Sequence, residues 1–156
     1  MICAFTGHRP ERLPWGRNED DLRCAALKTL LRRTVREVYD RGFHTFLCGM
    51  ARGCDQYFAE AVLAARADGA QDAQLCALVP CPSQPDGWDE ASVARYWALL
   101  AACDQLEVLE DHYAESGRKR NRAGRGGAEP APTNAHTKAS HYFERCILTP
   151  ASSARA

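Results

Sequence analysis

Two short stretches carry the residue types that could hold an anion. One is Thr6-Gly7-His8-Arg9-Pro10; the other runs Gly49-Met50-Ala51-Arg52-Gly53-Cys54-Asp55. Glycine lets the backbone take conformations closed to other residues and lets a ligand approach without a Cβ in the way. A strand that turns through glycines into a helix leaves several N–H groups unpaired beside a partial positive charge, which suits a phosphate. Around such a turn each polar side chain has two readings. Arg9 can hold a phosphate through its planar guanidinium or pair with an acid such as Asp55. Asp55 can cap its own helix or bind ribose hydroxyls. His8 can act as a general acid or base near neutral pH, or as a plain polar contact. Arg52 sits in the turn itself, and Trp88 can stack on a base or anchor a helix start. The ligand-binding candidates are therefore Thr6, Gly7, His8, Arg9, Gly49, Met50, Arg52, Gly53 and Asp55, and the only carboxylates placed for catalysis are Asp55 and Glu60.

Alternating elements must position these turns. Residues 2–6 and 43–48 are short, mostly apolar runs of the kind found in a covered parallel sheet. Between them Leu27, Leu30, Leu31, Val35 and Val38 mark a helical stripe. Asn18 is the expected cap, with Asp21 in the first turn and Gly42 as the stop. Phe58, Ala61, Val62 and Ala65 mark a second helix, running to Asp68 and Gly69. Residues 74–79 form a third strand stopped by Pro80 and Pro82. A third helix carries Val93, Trp97, Leu100 and Ala101 with Tyr96 beside them, and residues 105–109 make a fourth strand. Strands alternating with helices predict βαβ units with right-handed crossovers. Ligands of such sheets bind beyond the carboxyl ends of the strands, where residues 6–9, 49–55 and 80–84 should share one crevice.

Composition narrows the class. The 156 residues suit one domain, and 46 % apolar with 26 % charged content is ordinary for a soluble globular protein. With no apolar run of ~18 residues and no basic-then-apolar leader, a membrane role is excluded and the cytoplasm is the expected location. The eight cysteines form no disulfide framework. Cys48/Cys54 and Cys76/Cys81 are not spaced as zinc pairs, so buried reduced thiols and no metal are expected. The net charge of zero hides a split: residues 1–113 carry 12 Lys/Arg against 17 Asp/Glu, whereas residues 114–156 carry 8 against 3. The domain is therefore placed at 1–113, followed by a basic Gly/Ala/Pro-rich tail that cannot offset its ordering entropy and is expected to be disordered. A short helix fits residues 141–146.

The Thr6-Gly7-His8-Arg9-Pro10 turn together with Gly49-Met50-Ala51-Arg52-Gly53-Cys54-Asp55 resembles the YpsA-like family of the SLOG superfamily. That superfamily also holds the DNA-processing protein DprA/Smf and the LOG phosphoribohydrolases. Glu60, the Pro80…Gln84…Trp88 spacing, Tyr96, Cys103-Asp104, Tyr113 and Arg120-Asn121 add to the resemblance, which runs from residue 2 to about 122. It implies a Rossmann-like three-layer α/β fold with a mostly parallel sheet. It also implies a bacterial, cytoplasmic protein whose pocket takes a nucleotide, NAD or ADP-ribose-type ligand, with a proposed link to cell-division control in some members. Thr6, Gly7, Arg9, Gly49, Gly53 and Asp55 would form the pocket, with Glu60 near it.

The match departs from the family after Arg120-Asn121, where a hydrophobic strand, a Gly-Gly-Thr turn and a final helix should follow. Gly126-Gly127 runs instead into Ala128-Glu129. We read this as a truncation or change of frame that removes the last strand and helix. A sensor or regulatory module binding a nucleotide-type ligand is the first reading, and no catalytic residue is firm. A LOG-like hydrolase of nucleotide N-glycosidic bonds is the second, weakened by the absence of the LOG Pro-Gly-Gly-x-Gly-Thr motif. DprA-like single-stranded DNA binding is the third. The acidic body disfavours it, although Arg118–Arg122 is basic. A homo-oligomer stays open.

Overall fold

The computed structural model describes residues 1–109. The expected tail from residue 114, its short helix, Tyr113, Arg118–Arg122 and the departure after Asn121 lie outside the described residues.

The elements follow in the expected order: β1 (Ile2–Phe5), a 3-10 turn (Pro10–Arg12), α1 (Leu22–Asp40), β2 (Thr45–Cys48), α2 (Cys54–Ala67), β3 (Gln74–Val79), α3 (Glu90–Ala101) and β4 (Gln105–Val108). All four strands are parallel, in the order β1-β2-β3-β4. Each crossover steps the same way across the sheet, and right-handed crossovers of that kind put successive helices on one face. The packing agrees. One core cluster joins Cys3, Phe5, Phe46, Cys48, Leu75, Ala77 and Val79, alternate residues of three neighbouring strands, to side chains of all three helices. Phe5 stacks on Phe58 of α2 at 4.5 Å, and Arg95 of α3 bonds Glu60 of α2 at 2.7 Å. The described residues thus supply a sheet and one helical layer of a Rossmann-like α/β fold. No helix among them is long and apolar enough to cross a membrane.

Local chemistry sets the ends of the elements and corrects several expectations. The cap of α1 is Asp21, whose carboxylate accepts the Arg23 N–H at 2.8 Å; Asn18 instead closes a local turn onto the N–H of Asp20. Gly42, with φ +89°, does stop α1, its N–H on Tyr39 O at 2.8 Å. The next N–H, of Phe43, bonds Val38 O in the same helix end, so β2 starts at Thr45 and not at residue 43. Along α1 the buried positions are Cys24, Leu31 and Val35, while Leu30 is 48 % exposed. In α3 the inward face carries Tyr96 and Leu99; Trp97, expected on it, is 54 % exposed. Tyr96 wins the inward position because its ring sits edge-on to Trp88 at 5.4 Å while its hydroxyl reaches Gln84 Oε1 at 3.3 Å. A buried tyrosine needs such a partner.

Candidate functional site

Parallel strands bring the loops after β1, β2 and β3 to one edge of the sheet, and specific hydrogen bonds tie those loops together. Cys54 donates its N–H to His8 O at 3.1 Å. Gly7 and Ala51 donate theirs to Asp55 Oδ1 and Oδ2 at 3.0 and 3.4 Å. Gln84 donates its amide to Gly49 O at 3.0 Å and accepts from the Tyr96 hydroxyl. The three turns therefore form one connected piece, held by Asp55 on one side and Gln84 on the other.

The contacts leave no clearance for side chains at the glycines. A Cβ on Gly7 would lie 2.3 Å from Cys54 Cβ, and one on Gly49 would lie 3.1 Å from Asp55 Oδ2. Gly53, the N-cap residue of α2, has φ +91° and ψ −127°, and a Cβ there would meet His8 O at 2.8 Å. Gly7 and Gly53 serve the close approach of one turn to the other, and Gly49 makes room for the Asp55 carboxylate.

This changes the roles expected for the second turn. Three of its N–H groups are committed within the protein: Met50 to Cys48 Sγ, Ala51 to Asp55, Cys54 to His8 O. Asp55 neither caps α2 nor faces an open sugar pocket. It lies one residue inside the helix, 8 % exposed, accepting N–H groups from both turns. Burial pushes its carboxyl above the ordinary value, against the opposing pull of the Gly7 and Ala51 N–H groups and the charge of Arg9. Met50 turns inward: its φ is +59°, its side chain is fully buried in the core, and it offers a ligand only backbone. Glu60 pairs with Arg95 at 2.7 Å on the flank of α2 and lines none of the site cavities.

The open side of the connected turns is a cleft of about 390 Å³. It is lined by Arg9, Glu11 and Arg52 from the first two turns and by Pro80, Ser83, Gln84, Asp86 and Trp88 from the segment after β3. Arg9 lies within 4 Å of no described carboxylate, although its charge acts on Asp55 from further off. Arg52 is held: its guanidinium lies 5.1 Å from the centre of the Trp88 ring, with Glu11 Oε1 at 3.4 Å. Glu11 is kept below the ordinary carboxylate range by a backbone hydrogen bond and by Arg52 and Arg17. Thr6, Gly7 and His8 are exposed along the β1 side, where a wider recess of about 510 Å³ joins His8, Arg9 and Arg12. Such a surface offers guanidinium donors, an amide and an aromatic wall, suited to a molecule with a phosphate and a flat ring.

The cleft includes residues absent from the sequence-based candidates: Glu11, Ser83, Gln84 and Asp86. Gln84 and Trp88 carried a signal, the four-residue spacing from Pro80. Ser83 falls within the 80–84 loop expected at the crevice, whereas Glu11 and Asp86 had no signal beyond adjacency to the turns. Cys24, Cys48, Cys54, Cys76 and Cys81 are buried free thiols, the first two in the core cluster.

An all-parallel α/β sheet with its loops gathered at the strand ends defines a Rossmann-like domain. The family model of YpsA, described as the YspA SLOG family, matches residues 3–123. The chain belongs to that family. No curated protein matches it.

Proposed function

We propose that the cleft binds a nucleotide or nucleotide-derived ligand and that the protein acts as a sensor or regulatory module, without catalysing a reaction. The observation that carries this reading is the Arg9 guanidinium, which forms no ion pair among the described residues and lines the same cleft as the Arg52–Trp88 stack. A phosphate would take Arg9, and a base or a second ring would lie along Trp88. The connected turns supply rigidity for such a site. Membership of a SLOG family supports a nucleotide-related ligand.

Cleavage of an N-glycosidic bond, the LOG-like alternative, needs a carboxylate facing the ribose to stabilise developing positive charge. Asp55 is occupied by two N–H groups and Glu60 by Arg95. That favours binding over hydrolysis.

The test is a thermal-shift screen of the full chain against nucleoside monophosphates, ADP-ribose and NAD. A true ligand at one hundred times its Kd stabilises by about 2.7 kcal/mol. Arg9→Gln should weaken that ligand by about tenfold, the loss of one charge-assisted contact, while leaving the melting temperature of the free protein unchanged. Release of free base from a nucleoside monophosphate, lost in Asp55→Asn, would replace this reading with hydrolysis.

A further inference from the structure

A second, smaller cavity of about 230 Å³ lies where the N-termini of α2 and α3 meet, bounded by Arg17, Arg52, Gln56, Asp89, Ser92 and Arg95. Gln56, in the first turn of the 14-residue α2, is 2 % exposed, and its Nε2 meets no acceptor among the described residues. Arg52 Nη1 is likewise buried without an acceptor, lying 3.6 Å from Asp89 Oδ2, too far for a hydrogen bond. Buried polar groups are normally paired, and both orphans here are donors, so what they lack is an acceptor.

The carboxylates of the cavity are not free to serve. Asp89 takes the N–H and hydroxyl of Ser92, both at 2.9 Å, as the cap of α3. Glu19 is bridged between Lys28 and Arg95, each at 2.6 Å. The guanidinium groups of Arg17, Arg52 and Arg95 are balanced by Glu11, Glu19, Glu60 and Asp89, so the pull on an acceptor comes from the two unpaired donors and from the partial positive charge of two helix N-termini. The acceptor that fits is an oxyanion.

Arg52 lines both this cavity and the cleft. We infer that the cavity takes a second phosphoryl group of the same ligand, the two adjacent phosphates being spanned by the Arg52 guanidinium, so that the ligand is a diphosphate. This rests on the cleft being the ligand site.

The probes are AMP and ADP, titrated calorimetrically into the full chain at fixed ionic strength. ADP should bind about tenfold more tightly than AMP, the worth of one added charge-assisted hydrogen bond. In Gln56→Leu that ratio falls to about one while AMP affinity stays the same. The variant should melt no lower than the parent, because removing an unpaired buried donor sacrifices no hydrogen bond. Gln56→Glu keeps the shape and sets a carboxylate against the phosphate, so ADP should become the weaker ligand. Equal affinities in the parent protein overturn the inference, as does a preference for ADP that survives in Gln56→Leu, which would mean that Gln56 meets only water. If AMP binds and responds to Arg9→Gln but ADP binds no better, this inference alone fails. If neither binds, the cleft reading fails with it.

Discussion

Gly53→Ala is expected to lower stability by about 3–5 kcal/mol, from backbone strain and overpacking together, and to abolish ligand-dependent stabilisation. Two penalties act at this residue. At φ +91° and ψ −127° a side chain strains the backbone wherever it stands. In addition the new Cβ would lie 2.8 Å from His8 O and 3.0 Å from Pro10 Cδ, so the first turn would have to move off the start of α2. That movement breaks the Cys54–His8 bond and shifts Arg9, one residue further on. Gly87→Ala is the control: its φ is also positive, at +73°, but its Cβ would meet nothing within 4 Å. It should therefore show only the conformational part of the loss. Melting temperatures of the two variants separate the effects; for Gly53→Ala the fall should be at least roughly 10 °C. Equal falls in both would mean that the contact between the two turns contributes nothing.

The path from sequence to this site was legible in some places and not in others, for physical reasons. Element order and the parallel sheet followed from periodicity. Residues 74–79 were bounded by a proline, the strand after α1 by a glycine, and those signals act locally. Convergence of the three loops then followed from topology alone. What periodicity could not decide was which of two adjacent stripes of α3 turns inward. Val93, Trp97 and Leu100 fit one helical face, and Tyr96 with Leu99 fits the next. Only the reach of the Tyr96 hydroxyl to Gln84, twelve residues earlier, separates them. Cys24 was passed over for Leu30 because cysteine is a weak signal of burial in a sequence, although it is among the most buried residue types.

The site itself failed to be legible for one main reason. A run such as Gly49 to Asp55 looks like a set of free backbone donors, because its acceptors are far away in sequence. Asp55 accepts from Gly7, 48 residues before it, and Cys54 donates to His8. Two of the donors that looked ready for phosphate, the N–H groups of Gly7 and Cys54, hold the two turns to each other. In the proposed reading the ligand meets Arg9, Arg52, Gln84 and Trp88, which line the cleft, and the glycine-rich turn serves as their frame.

Asp55 is where that frame can be broken by a single polar change. Asp55→Ala leaves the N–H groups of Gly7 and Ala51 without their acceptor, and at about 1–3 kcal/mol for a fully buried donor the expected loss is at most roughly 2–6 kcal/mol, reduced because both donors are only part-buried. Asp55→Asn should lose less, because the amide oxygen can still accept one of them while its NH2 faces the other donor. The two substitutions also separate packing from charge through pH. Burial raises the Asp55 carboxyl above its ordinary 3.8, so the folded protein holds this proton to higher pH than the unfolded chain. Stability from this group is therefore fully present below pH 3.8 and declines as pH rises through the raised folded value. Asn cannot titrate, and the other ionisable groups cancel between the two proteins. The stability advantage of the parent over Asp55→Asn should thus be largest in acid and narrow toward neutral pH, as read from urea unfolding at a series of pH values. An advantage that grows with pH would mean that the two N–H groups and Arg9 outweigh burial. The carboxylate would then be held in its charged form by the turns it joins, and the cleft would keep its shape best at neutral and alkaline pH.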